Sequence, residues 1–97
     1  MVVITSRYIK SLEEIDALLV EHRRFLDEQY RNKKFICSGP QNPRLGGVII
    51  ANVDGVEEAR KIMMQDPFSV HGAAEYQFVE FAPLKYDEQF ACFVRQE

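Results

Sequence analysis

The stretch "GVIIANV", residues 47–53, decides the fold. Its β-branched residues, its short length and the glycine pair at its start mark it as a strand. Successive side chains of a strand face opposite ways. Val48 and Ile50 therefore point to one face while Ile49, Ala51 and Val53 point to the other, and both sets are apolar. An antiparallel sheet with one wet face would alternate apolar with polar. Phe78 against Val79 and Phe81 repeats the two-sided pattern further on. Both faces of this sheet need cover.

Around that strand, "VVITSRYI" (2–9), "KFICSG" (34–39) and "AEYQFVEFA" (74–82) read as three more. Ser11 and Glu14 form a capping box that opens a helix. Its stripe of Ile15, Leu18, Leu19, His22, Phe25 and Leu26 recurs at helical spacing and runs to about Tyr30. Asp54 and Glu57 repeat the box ahead of a second helix through Val56, Ala59, Ile62 and Met63. Asp66-Pro67 interrupts it: aspartate is a favoured cap and proline a favoured first helical residue, so a short helical turn starts there and ends at Gly72.

The order is βαββαβ. With right-handed crossovers it gives an α+β, ferredoxin-like arrangement: a four-stranded antiparallel sheet with two main helices on one face. Those helices cover one face only. The two-sided strands predict a homodimer, the helix-free face of one sheet packing on the same face of a second subunit. The chain of 97 residues reads as a single domain, 1–97, with a core over 2–83. The tail, 84–97, fits either an edge strand or a partner contact.

A net charge of -3 argues against nucleic-acid binding, which needs a basic face. RNA-recognition modules of the same βαββαβ order stack bases on third-strand aromatics, and "GVIIANV" has none. Cys37 and Cys92 are too few for a metal or redox motif, and Cys37 reads as a buried free thiol within an apolar strand. No apolar run approaches the ~20 residues of a membrane span, and the N-terminus lacks a signal-peptide pattern. The expected setting is cytoplasmic and reduced, with neither membrane nor nucleic acid as partner. No G-x-G-x-x-G, P-loop or H-E-x-x-H occurs, so no cofactor and no metal is expected.

His22 is the one imidazole on the apolar stripe. Such a residue is either a satisfied, partly buried side chain or a proton carrier lining an opening. Asp66 is its best candidate partner: it caps the turn before Pro67, and a carboxylate beside an imidazole fixes its tautomer. Ser38, before Gly39-Pro40, offers an orienting hydroxyl or an ordinary turn contact. Arg44, in the loop "GPQNPRLGG" (39–47), is either a bidentate clamp for a substrate carboxylate or a solvated cation. Tyr8 and Tyr76 are candidates to line a cavity, or half-buried strand packing. His71, beside Gly72, reads as a helix-end residue.

Five fragments then stand in one order: "EH-x-x-FL" on the first helix, "SGP" after the second strand, "PR-x-GG-V-I-I" into the third, "DPF" after the second helix and "EF-x-P-x-K" after the fourth strand. Together they resemble the YCII-related (YciI-like) domain family, over roughly residues 2–86. The resemblance implies a dimeric α/β barrel of ferredoxin-like subunits. It also implies an active site on a His–Asp pair, mapping to His22 and Asp66, with a serine mapping to Ser38. The family is similar to small ring-processing enzymes such as muconolactone isomerases, and one branch is associated with dehydrochlorination of chlorinated hydroxyquinols. The expected function is thus a small-molecule enzyme, isomerase- or lyase-like, acting on a cyclic or carbonyl-containing metabolite. The alternatives are a non-catalytic ligand-binding or accessory homodimer, and a purely structural His22–Asp66 pair.

Overall fold

Strands β1 (Val2–Tyr8), β2 (Phe35–Pro40), β3 (Gly47–Ala51) and β4 (Ala74–Glu80) form one antiparallel sheet in the order β2-β3-β1-β4. This is the ferredoxin-like order. A computed structural model describes residues 1–94; the last three residues of the tail expected over 84–97 lie outside the described residues. Helices α1 (Leu12–Ala17), α2 (Leu19–Arg31), α3 (Val56–Met63) and α4 (Pro67–Val70) complete the core, and residues Glu88–Phe93 form a 3₁₀ helix in place of an edge strand.

The core lies between the sheet and the helices. Val2, Ile4, Ile49 and Ala51 from the central strands meet Phe25 of α2 and Ala59, Ile62 and Met63 of α3, with Phe35 closing one side. A second cluster joins Ile15 of α1 to Phe68 of α4 and to Ala73 and Ala74. The two clusters account for a break within the first helical stretch, which the periodicity reads as continuous. At Leu18 (φ -99°, ψ -3°) the backbone N–H bonds to Ile15 and Asp16 carbonyls, a tightened turn that ends α1 and redirects the chain into α2. Ile15 then serves one cluster and Phe25 the other.

The Ser11–Glu14 box is present in both directions. The expected Asp54–Glu57 box is not. Gly55 is the N-cap of α3; the Glu80 carboxylate of β4 accepts from Val56 N–H at 3.1 Å, and Glu58 accepts from Asp54 N–H at 2.9 Å. Tertiary contact with β4 supplies the cap that the local sequence does not. Asp66 caps α4 as expected, accepting from Phe68 N–H at 3.1 Å, and Gly72 at φ +62° takes the left-handed conformation that stops the turn.

One irregularity moves side chains between faces. Phe35 pairs with Ala51 and Cys37 with Ile50, so Ile36 is an extra residue in β2. Without that bulge Phe35 and Cys37 would share the helix-facing side. With it, Phe35 is buried while Cys37 is turned to the open face, and the expected burial of its thiol does not occur. Ser38, opposite Ile49, takes the helix-facing side instead.

The open face carries an apolar row across all four strands, Cys37, Ile50, Val3 and Val79, with Phe81 beyond it. Val79 is 60% exposed and Phe81 42% exposed in the single chain.

Candidate active site

Strand pleat aims the site. Ile4, Ser6 and Tyr8 of β1 share the helix-facing side with Tyr76 of β4, whose partner across the ladder is Ser6. Beneath α2 these residues bound a cleft of roughly 360 Å³, within the range of small-ligand sites and near its lower end. All six residues singled out in the sequence line it: Tyr8, His22, Ser38, Arg44, Asp66 and Tyr76. Apolar side chains, among them Ile4, Leu26, Ile49 and Met63, make up much of the rest.

His22 and Asp66 meet. Imidazole Nδ1 lies 2.8 Å from Asp66 Oδ1, and the two side chains are 16% and 1% exposed. Both carboxylate oxygens are satisfied: Oδ1 also accepts from Phe68 N–H, and Oδ2 accepts from the Tyr76 hydroxyl at 2.8 Å. Three donors are what a carboxylate this deeply buried requires. The carboxylate accepts only, so Nδ1 carries the hydrogen and Nε2 of the neutral ring carries the lone pair. Nε2 has no hydrogen-bond partner among the described residues. No buried side-chain nitrogen or oxygen among them is unsatisfied, so Nε2 is not fully buried, on a ring that lines the cleft.

Phe68 fixes the ring from its face. The phenyl stacks on the imidazole at 4.1 Å with planes 10° apart, and Tyr8 packs edge-on against the other side of the cluster at 5.9 Å from Phe68. The motif "DPF" thus supplies both in-plane and face contacts to His22, from Asp66 and Phe68 on one tight turn. Burial, then the adjacent Asp66 carboxylate, pushes the Tyr76 phenol well above its ordinary pKa of 10.0, so it stays a donor.

Ser38 and Arg44 line the cleft without touching the His–Asp pair. The Ser38 hydroxyl pairs with the Tyr30 hydroxyl at 2.7 Å. Arg44 is held by Asp16 of α1 at 2.6 Å and lies over the Tyr8 ring at 5.8 Å from its centroid; the Asp16 contact raises its already high pKa. The loop bearing Arg44 is pinned by Gln41, whose amide donates to the Ser6 and Gly47 carbonyls, and by the Ser6 hydroxyl, which accepts from Gly47 N–H. Gly46 packs so tightly on the Ser6 carbonyl that a side chain there would overlap it. His71 caps the C-terminal end of α4, is exposed and stands apart from the cleft.

Sequence reasoning missed Phe68 and Arg23, which line the cleft, and Tyr30, which holds the Ser38 hydroxyl from outside it. It gave Tyr76 a lining role only, whereas its hydroxyl holds the Asp66 carboxylate. Among the described residues no group of three or more His, Cys, Asp or Glu is placed to hold a metal ion, and no helix is long and apolar enough to cross a membrane.

A ferredoxin-like sheet with a ligand-sized cleft beneath one helix, and an imidazole backed there by a buried carboxylate, defines the class of this protein. The chain belongs to the YCII-related domain family, which matches residues 1–82. Among solved structures it is similar in fold to 5-chloro-2-hydroxyhydroquinone dehydrochlorinase (TftG) from Burkholderia phenoliruptrix AC1100, in complex with 2,5-dihydroxybenzoquinone. The TM-score is 0.68 at 17% identity, over 92% of this chain and 98% of that one. No curated protein matches the sequence.

Proposed function

We propose that the protein is a cofactor-independent enzyme of the isomerase or lyase type, in which His22 is the general base and acid and Asp66 positions it. The observation that carries this reading is the 2.8 Å contact from Nδ1 to a buried carboxylate, on a ring that lines the cleft and whose Nε2 has no partner among the described residues. A proton carrier needs that polarity: one nitrogen held, the other presented. A structural pair would have no need of a cleft beside it.

In the proposed step, Nε2 takes a proton from a carbon next to a ring carbonyl. The C–H electron pair moves into the ring as an enolate, and the imidazolium is stabilised by Asp66. In an isomerisation Nε2 returns the proton to a different carbon. In an elimination the enolate electrons form a C=C bond, a leaving group departs with its own bonding pair, and the imidazolium then gives its proton to solvent. The neighbour in fold is named for a dehydrochlorination, an elimination from a one-ring compound, which agrees with a cleft of this size. Proton transfer by one positioned side chain contributes about 10²–10⁴-fold. Ser38 and Arg44 orient the substrate oxygens, and Tyr8 bounds the ring.

The working unit is proposed to be a homodimer through the apolar row Cys37, Ile50, Val3 and Val79, giving the α/β barrel arrangement. The two free cysteines accord with a reduced, cytoplasmic setting.

The test is a panel of small cyclic keto and hydroxy compounds screened with wild type and with His22→Ala. The expected result is turnover by wild type alone, with His22→Ala still folded. Unchanged turnover in the variant would overturn the proposal and leave the cleft a binding site.

A further inference from the structure

Among the described residues, the exposed charges that line the cleft are arginines. Its only lining carboxylate among the described residues is Asp66, which is buried and already satisfied by three donors. Its cations are Arg44 and Arg23. Arg44 is tied to Asp16 and partly neutralised by it. Arg23 is different. It follows His22 directly on α2, lines the same cleft, and makes no hydrogen bond or ion pair with any described residue. The sequence alone assigns it to a solvated basic face with Arg24. Arg24 does not line the cleft.

A cationic mouth on a chain of net charge -3 runs against the overall field of the protein. The walls below it are largely apolar, and the volume fits one small ring with few substituents. Guanidinium is the side chain suited to planar oxyanions, and a free one at the rim has its donors available.

From this the geometry points to an anionic substrate: a one-ring molecule whose carboxylate or ionised enol oxygen is bound by Arg23 while its ring lies against the apolar wall beside His22. Arg23 is then a specificity-determining residue. Arg44, already paired with Asp16, also lines the cleft. The inference deepens the proposed function by naming the charge of its substrate; it needs the cleft to be a ligand site but does not need turnover.

The experiment titrates the protein with benzoate and with neutral, near-isosteric benzamide, following the His22 ring resonances by ¹H–¹³C NMR. Arg23→Gln and Arg24→Gln are run alongside. Both remove one positive charge from α2, but only Arg23 lines the cleft. Benzoate is expected to bind saturably and about tenfold more tightly than benzamide, the low end for a charge-assisted contact at an exposed rim. Arg23→Gln should remove that preference, Arg24→Gln should keep it, and added salt should weaken benzoate alone. Equal binding of the two probes, or a preference that survives Arg23→Gln, would overturn the inference while leaving the cleft a ligand site. Absence of binding by either probe would overturn it together with the ligand-site reading.

Discussion

Removing the Asp66 carboxylate should cost more stability than its one-residue contact with the helical turn implies. In Asp66→Ala the Phe68 N–H loses its cap, a loss of about 1 kcal/mol at typical sites. The His22 Nδ1–H and the Tyr76 hydroxyl lose their acceptor inside a water-poor pocket, at about 1–3 kcal/mol for each buried group left unsatisfied. Because the three share one carboxylate the losses do not simply add, and about 3–5 kcal/mol is expected. For a domain of this size, that lowers the melting temperature by about 15–30 °C. Asp66→Asn keeps an acceptor for Phe68 and His22 and turns its amide toward a hydroxyl that can accept, so it should cost only about 1–2 kcal/mol. Thermal and urea melts at one fixed protein concentration measure both. If Asp66→Ala melted within about 5 °C of wild type, the carboxylate would not be the hub that holds imidazole, phenol and turn together.

Tyr76→Phe should lower stability by roughly 1–2 kcal/mol at neutral pH. The folded-state pKa of this phenol is raised, so its contribution is complete below the unfolded value near 10 and is lost as pH rises further, by roughly 1.4 kcal/mol per unit. Urea melts from pH 7 to 11.5 should therefore show the wild-type advantage shrinking above pH 10; a constant offset between the two proteins would contradict this. On the open sheet face, Val79→Lys should convert a dimer to a monomer in light scattering, and a wild type monomeric at micromolar concentration would remove the dimer reading altogether.

Much of this was readable from the residues. Element order followed from periodicity and caps, and strand order followed from the crossover rule, because both rest on short-range chemistry. The two-sided apolar pattern of β3 also anticipated the exposed row now seen on the helix-free face. What escaped depends on contacts distant in sequence. The cap of α3 comes from Glu80, some two dozen residues away, so Asp54 and Glu57 gave a misleading local signal. The bulge at Ile36 exchanges Cys37 for Ser38 on the cleft side, and no residue in "KFICSG" announces it.

The site divides the same way. His22 stood out because an imidazole interrupts an apolar stripe, and Asp66 because it precedes a proline. That Tyr76 would donate to Asp66 depends on strand register, which sets it beside Ser6 on the inner face. Phe68 stood in the sequence only as the last letter of "DPF"; it is core, and its ring is also the surface on which the imidazole lies. Arg23 looked like one half of a solvated pair; only the three-dimensional outline of the cleft separates it from Arg24.

The central claim is that Asp66 holds His22 with Nδ1 protonated and Nε2 presented to the cleft. Long-range ¹H–¹⁵N correlation of the two imidazoles, at a pH where both are neutral, reads the tautomer directly, with exposed His71 as the unrestrained reference. The account predicts that His22 is the Nδ1–H tautomer and that Nε2 bears the lone pair. An Nε2–H tautomer, or the same mixture as His71, would contradict it, because the nitrogen proposed to take the substrate proton would already carry one for much or all of the time.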